Sequence, residues 1–160
     1  MNILILGSGI VGANLANKLS EQGKSVFLLD DDASELKRLS ERYDIKTIFE
    51  DPLNPTFYSN FKTKIDYFIA VTKSDEKNII TCKFAKEFLK VDKTIARIRN
   101  QNLISDENKS LLIDSNSFLD HIISPEWEVA SNIFEKIHMP GAFFSESLIS
   151  KNYLLIGMQS

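Results

Sequence analysis

Apolar residues along this chain keep two alternating rhythms. Short runs such as Ile3-Leu4-Ile5-Leu6, Val26-Phe27-Leu28-Leu29 and the nearly continuous Ile65 to Val71 are each followed by stretches whose apolar positions recur every three or four residues. The runs predict strands buried on both faces, and the spaced stretches predict amphipathic helices. Val11, Leu15 and Leu19 set the apolar face of a first helix, with Asn14, Lys18 and Glu21 toward water and Gly23 at its end. Leu36, Leu39 and Tyr43 mark a second, capped by Asp32 or Ser34.

A third strand spans Lys46 to Phe49, and the prolines of Glu50-Asp51-Pro52-Leu53-Asn54-Pro55 predict a loop, leaving room for one short helix over 56–61. After the run ending at Val71, Ser74 or Asp75 caps a long helix with the stripe Ile80, Phe84, Phe88 and Leu89. Thr94 to Ile98 is a fifth strand, residues 100–117 read as irregular with a helical turn at 111–113, and Leu119 to Ile123 is a sixth strand. Pro125 at a first helical position opens a last helix, with Trp127, Ala130, Ile133, Phe134 and Ile137 inward, closed by Pro140-Gly141. Phe143–Ile149 and Tyr153–Met158 flank Ser150-Lys151-Asn152 and predict a hairpin, which must pack on something to persist.

Strands alternating with helices predict an α/β fold. The expectation is a Rossmann-like doubly wound parallel sheet of about six strands with helices on both faces, plus a C-terminal helix and a short β tail. Residues 1–140 form the expected nucleotide-binding domain and 141–160 a β-prone tail, either docked on it or opening a second lobe.

Candidate chemistry gathers at the first turn. The first strand runs into Gly7-Ser8-Gly9-Ile10-Val11-Gly12, and the second ends on Asp30. Gly7 permits the tight turn, Gly9 lets backbone approach a phosphate, and Gly12 lets the helix lie close to the sheet. The unpaired donors and positive dipole end of that helix suit a pyrophosphate. Asp30 follows Gly12 at close to the roughly 20-residue spacing of an acid that holds ribose hydroxyls. Ligands of such sheets lie at the carboxyl ends of the strands, which adds Asp31, the Glu50-Asp51 corner, the Thr72-Lys73-Ser74 corner and Arg97, with Arg99 on the same strand face. Three adjacent acids, Asp30, Asp31 and Asp32, repel a 2′-phosphate and disfavour NADP; the latter two also suit a helix N-terminus better than a metal site.

Composition narrows the classes. The chain has 160 residues, 43% of them apolar, and a net charge of −3 with scattered lysines and arginines. No basic field is on offer for a nucleic acid, and no apolar run approaches a membrane span. The chain starts directly on a strand, without a signal pattern. Cys82 is the one cysteine, read as buried filler in a reducing compartment. Tyr58 and Lys62 copy the spacing of a reductase Tyr/Lys pair, but on the wrong element, after the third strand. His121 and His138 stand too far apart for a metal site. Catalysis and metal binding are not expected.

The residues together resemble the nucleotide-binding N-domain of the Trk potassium-uptake regulatory protein family (TrkA-N, regulator of K⁺ conductance, RCK). The resemblance rests on Asn2 to Gly12, Leu29-Asp30, Ile69 to Glu76 with Asn78, Ile95 to Arg99, and Asp120 to Glu126 followed by Met139 to Ala142, in the family's order over about 140 residues. It implies a cytoplasmic regulatory subunit, not an enzyme, that binds NAD(H) or an adenine nucleotide (ATP/ADP). Such a subunit dimerises, assembles as a ring and gates a membrane K⁺ channel or transporter subunit, without inserting in the membrane itself. By position, Gly7 to Val11 hold the pyrophosphate, Asp30 the ribose, Thr72 and Lys73 the ligand from the fourth strand end, and Arg97 a phosphate or the far half of the cofactor. The helix from Pro125 to Ile137 corresponds to a dimer-forming crossover helix. Glu50-Asp51-Pro52 departs from the family's glycine-aspartate-small pattern, which bears on the adenine contact. The tail resembles the link into a C-terminal regulatory lobe, so the expectation is a trimmed piece or a single-lobe protein. Two other readings are a nicotinamide-dependent oxidoreductase fragment and an assembly module with a vestigial nucleotide site.

Overall fold

The computed structural model describes residues 1–105, 112, 117–138, 142–147 and 154–158. Two compact units result, Met1–Ile123 and Ser124–Ser160. The first unit contains β1 (Asn2–Leu6), α1 (Ile10–Glu21), β2 (Ser25–Asp30), α2 (Ala33–Arg42), β3 (Lys46–Phe49), α3 (Pro55–Asn60) and β4 (Tyr67–Ala70). It continues with α4 (Asp75–Phe84), prolonged by a π-helical turn over Ala85–Leu89, then β5 (Lys93–Arg97), α5 (Gln101–Ile104) and β6 (His121–Ile123). Every pairing in the six-stranded sheet is parallel, in the order β3-β2-β1-β4-β5-β6. The expected doubly wound sheet is therefore the observed one.

Alternation along β1 builds the two layers. Ile3 and Ile5 pack with Ala13, Ala16, Leu36 and Leu39 of α1 and α2, while Leu4 and Leu6 join Tyr58, Phe68, Cys82 and Ala85 on the α3 and α4 side. All of these are buried, so β1 and its neighbours are apolar on both faces, as a central parallel strand must be.

Two helices turn differently from the pattern of their large residues. In α1 the buried positions are Gly12, Ala13 and Ala16, with Leu15 and Leu19 on the flank and Val11 exposed. Small residues face the sheet because the helix lies too close for leucines. In α4 the buried side is Asn78, Thr81 and Cys82, continued by Ala85, while Ile80 and Phe88 are exposed. Half of the expected stripe holds, since Phe84 and Leu89 pack against the core, while hydrogen-bonded polar groups take the inner positions at the start of the helix. The caps follow the sequence more closely: Asp32 accepts from Ser34 N and Glu35 N, Asn54 from Thr56 N, and Ser74 from Lys77 N.

The irregular stretch after β5 contains α5, and of the turn expected at 111–113 only Leu112 lies among the described residues. In the second unit, α6 (Pro125–His138) precedes an antiparallel pair, β7 (Ala142–Ser147) and β8 (Leu154–Met158). Pro140-Gly141 and the residues between the paired strands, Ser150-Lys151-Asn152 among them, lie outside the described residues. Ile133, Phe134 and Ile137, expected on the inner side of α6, are more than half exposed in the isolated chain, as is Val129.

At the far edge of the sheet from the strand ends that carry the glycine turn, one carboxylate ties β5 to the segment entering β6. Asp120 Oδ2 accepts from Thr94 N at 2.8 Å and lies 2.9 Å from Lys86 Nζ, while Oδ1 lies 3.2 Å from Lys93 Nζ. Burial works to raise its pKa, but the hydrogen bonds from Lys86, Thr94 and Lys93 outweigh it and hold the carboxyl well below the usual aspartate range. The charged form is thus favoured by folding. Its stabilisation is complete above the ordinary aspartate value of about 4 and is lost as pH falls through the lower folded-state value. Asp120→Asn is expected to lower stability by about 1–3 kcal/mol at neutral pH, with the gap to wild type narrowing between pH 5 and pH 3. Urea titrations across that range check it.

Candidate functional site

At the carboxyl ends of the central strands the chain leaves a cleft of about 740 Å³. It lies where α1 leaves the sheet on one face and α4 on the other, the switch point of a doubly wound fold. Gly7, Gly9, Ile10 and Val11 line it from the β1–α1 turn, and Asp30, Asp31 and Asp32 from the end of β2. The opposite wall is Val71, Thr72, Lys73, Ser74 and Lys77 around the start of α4, with Arg97 from the end of β5.

Three glycines make the turn by three different means. Gly7 has φ +110°, a region that favours glycine, and a Cβ there would sit 3.1 Å from Thr72 N. A Cβ on Gly12 would fall 1.8 Å from Gly7 O, so α1 can start against the turn only with glycine there. Around Gly9 nothing lies within 4 Å of the place a Cβ would take, which leaves the cleft floor open. Gly9 is also the cap residue of α1, which has no side-chain cap and no acid in its first turn. The positive end of the helix therefore faces the cleft uncompensated by its own residues.

Asp30 is built into this turn rather than hanging beside it. Its Oδ2 accepts from Ser8 N at 2.5 Å and its Oδ1 from Asp32 N at 3.0 Å. Burial tends to raise its pKa, yet the bonds from Ser8 and Asp32 prevail and the carboxyl lies below its usual value. An ionised acceptor is thus held at the end of β2. Asp32 caps α2 and is lowered chiefly by its bond with Ser34, whereas Asp31 crosses the cleft to Lys77 Nζ at 3.1 Å.

The opposite wall depends on a buried amide. Asn78 is fully buried, and its Oδ1 accepts from Thr72 N at 3.0 Å and from Thr72 Oγ1 at 2.7 Å. Its Nδ2 donates to Arg97 O at 2.8 Å, so one side chain joins the ends of β4 and β5. Asp75 adds a second tie, its Oδ2 accepting from Arg99 N at 2.9 Å and Asn100 N at 2.8 Å. The Arg99 guanidinium in turn donates to Lys73 O.

Of the residues singled out in the sequence, Gly7, Gly9, Ile10, Val11, Asp30, Asp31, Thr72, Lys73, Ser74 and Arg97 meet in this cleft. Ser8 and Gly12 shape it without lining it. Asp51 does neither, because its Oδ1 turns back to accept from Leu53 N, and Pro52 takes the place at the rim. Arg97 and Arg99 also part: one lines the cleft and the other buttresses it. Sequence reasoning missed Lys77 and the structural part of Asn78. The signal for Asn78 was available, a polar residue one turn before Cys82 on the sheet-facing side of α4. Tyr58 is buried with its hydroxyl donating to Pro52 O at 2.8 Å, so it belongs to the core, not to a catalytic pair. Burial pushes the Tyr58 hydroxyl and the Cys82 thiol to pKa values above their usual ranges. Among the described residues no group of His, Cys, Asp or Glu has the makings of a metal site.

Residues 3–125 match the family model of the TrkA-N domain. The Trk system potassium uptake protein TrkA of Haemophilus influenzae is 34% identical over 143 residues, which is 89% of this chain and 31% of that protein. The chain spans about a third of the length of the curated relatives it matches. Among solved structures, the GsuK channel bound to NAD gives a TM-score of 0.68 at 14% identity, covering 92% of this chain and 25% of that one. The Shewanella denitrificans Kef CTD in AMP-bound form gives 0.64 at 16% identity, covering 89% and 84%. At those identities the likeness is one of fold.

Removing the amide that holds the cleft wall strands buried backbone groups of Thr72 and Arg97. Asn78→Ala is expected to lower stability by about 1–3 kcal/mol, measured as a reduced urea midpoint with unchanged slope.

Proposed function

The chain belongs to the TrkA-N domain family, and from that membership we propose that it is the nucleotide-sensing module of a regulatory subunit in a prokaryotic potassium transport system. It binds NAD(H) or an adenine nucleotide such as ATP or ADP, and its occupancy gates a membrane K⁺ translocator. The observation that carries this reading is the cleft, where an uncapped helix start, an ionised Asp30 and the cations Lys73 and Arg97 meet at the carboxyl ends of the central strands. NAD in the GsuK channel and AMP in the Kef CTD, as those structures are titled, accord with an adenosine-bearing ligand on this fold.

In this reading the pyrophosphate lies on Gly7 to Val11, where free N–H groups and the α1 dipole receive it. Asp30 holds the adenosine ribose, Thr72, Lys73 and Ser74 flank the ligand from the β4 end, and Arg97 meets its far half. The adenine lies toward Pro52 rather than Asp51. The protein works in the cytoplasm, beneath the membrane, through its partner. Among the described residues no helix is long and apolar enough to cross a membrane.

Gating needs a second copy. The exposed apolar residues of α6 supply the face for a homodimer, repeated into a ring, and residues 141–160 begin a regulatory lobe. Exchange of one nucleotide for another moves the translocator only through its different affinity for two dimer geometries.

Titration calorimetry of the purified chain with NAD, NADH, ATP and ADP tests the first step, and silence with all four overturns it. Asp30→Ala is expected to weaken binding by about 1–3 kcal/mol, the scale of a lost charged hydrogen-bond partner. Unchanged affinity in a folded Asp30→Ala protein removes Asp30 from the site.

A further inference from the structure

One residue of the cleft has a position that its own helix opposes. Lys77 is in the first turn of α4, three residues after the Ser74 cap, where the helix presents its positive end. A cation there needs an anion close by. It finds one 46 residues away in the chain: Asp31 Oδ2, at 3.1 Å, on the far wall of the cleft. Asp31 follows β2 and Lys77 follows β4, and these are the two neighbours of β1, whose end carries the glycine turn. The pair therefore joins the two walls across the strand on which a phosphate would rest.

The hold is weak. The Asp31 side chain is 56% exposed and that of Lys77 27%, and ion pairs so open to water contribute little. Asp31 carries a single charge, and its 56% exposed carboxylate can return to water when the ammonium leaves. A phosphate chain offers more negative charge and several acceptor oxygens on the floor of the same cleft. The competition favours the ligand when it brings phosphate oxygens beyond the one seated on the helix start.

Resting on the nucleotide-binding reading above, we propose that Lys77 is a specificity-determining residue that leaves Asp31 for the second phosphate of the ligand, selecting nucleotides with two or more linked phosphates over monophosphates. The glycine turn receives the pyrophosphate through backbone N–H groups, and the single phosphate of AMP meets the same groups. Lys77 adds its charge only where a second phosphate is present. The ligand class is then one with a phosphoanhydride, which NAD, ADP and ATP share and AMP lacks.

The experiment titrates AMP and ADP into the wild-type chain, Lys77→Met and Asp31→Asn, with urea midpoints recorded for each. Lys77→Met is expected to weaken ADP about tenfold, the scale of one charge-assisted hydrogen bond, while AMP stays within about twofold. Asp31→Asn, which frees the ammonium, is expected to tighten ADP about threefold, well inside the range of a single electrostatic contact. Equal weakening of both ligands by Lys77→Met overturns the proposal and makes Lys77 a general shaper of the cleft. No change in either ligand leaves Lys77 as a plain ion pair and overturns it too. So does an Asp31→Asn protein that loses ADP, since the pair would then brace the walls. A wild type that binds NAD or ATP but not ADP overturns this proposal alone, whereas silence with NAD, NADH, ATP, ADP and AMP alike is a different result and removes the underlying reading together with this one.

Discussion

The distance between α1 and β1 is the constraint on which the rest of this structure depends. Gly12 comes so close to Gly7 O that no side-chain carbon fits between them. Because the helix starts there, its N-terminus opens at the end of β1 and not beside it. The same closeness explains why Ala13 and Ala16, not Leu15 and Leu19, face the sheet. Close packing and an open helix end are thus two results of one contact. The turn is then held from β2 as well, since Gly7 N donates to Leu29 O at 3.0 Å and Ser8 N donates to Asp30.

On the other side of β1 the wall is polar inside. A helix buried through Asn78 and Thr81 is costly unless each group finds a partner; Asn78 finds its partners at the ends of β4 and β5, and the Thr81 hydroxyl donates to Lys77 O of its own helix. Thr72 and Arg97, from different strands, keep their spacing because a single amide bonds to both. Asp75 does the same for the segment after β5. The wall that carries Lys73, Lys77 and Arg97 is therefore preorganised by residues that themselves stay out of the cleft, which spares a ligand the entropy of ordering it.

Much of this was readable in the residues. Apolar runs on both faces of β1, β2 and β4 marked a central parallel sheet, and the glycine spacing with Asp30 placed the turn. The caps Asp32 and Ser74 were visible because a short acceptor side chain precedes each helical stretch. What was not legible shares one cause. Periodicity weighs large apolar residues, so it assigned Ile80 and Phe88 to the inner face of α4 where hydrogen-bonded Asn78 and Thr81 sit. Spacing also cannot show that Asp51 folds back on Leu53 N, or that Lys77 reaches a partner 46 residues away. Both depend on side-chain direction, the first within a local turn and the second across a tertiary gap.

The hydroxyl of Tyr58 gives the rim of the cleft an anchor of another kind. It rises from the floor of the core to hold Pro52 O, in the loop where this chain departs from the glycine-aspartate pattern of the family it resembles. Stranding that buried pair would cost about 1–3 kcal/mol, so Pro52 stays fixed by a contact from beneath the loop, independent of the loop's own side chains. Variation in what the rim presents is thereby uncoupled from variation in where the rim is. A substitution at Glu50 can thus change the chemistry met by the ligand's outer edge while Tyr58 keeps Pro52 in place beneath it.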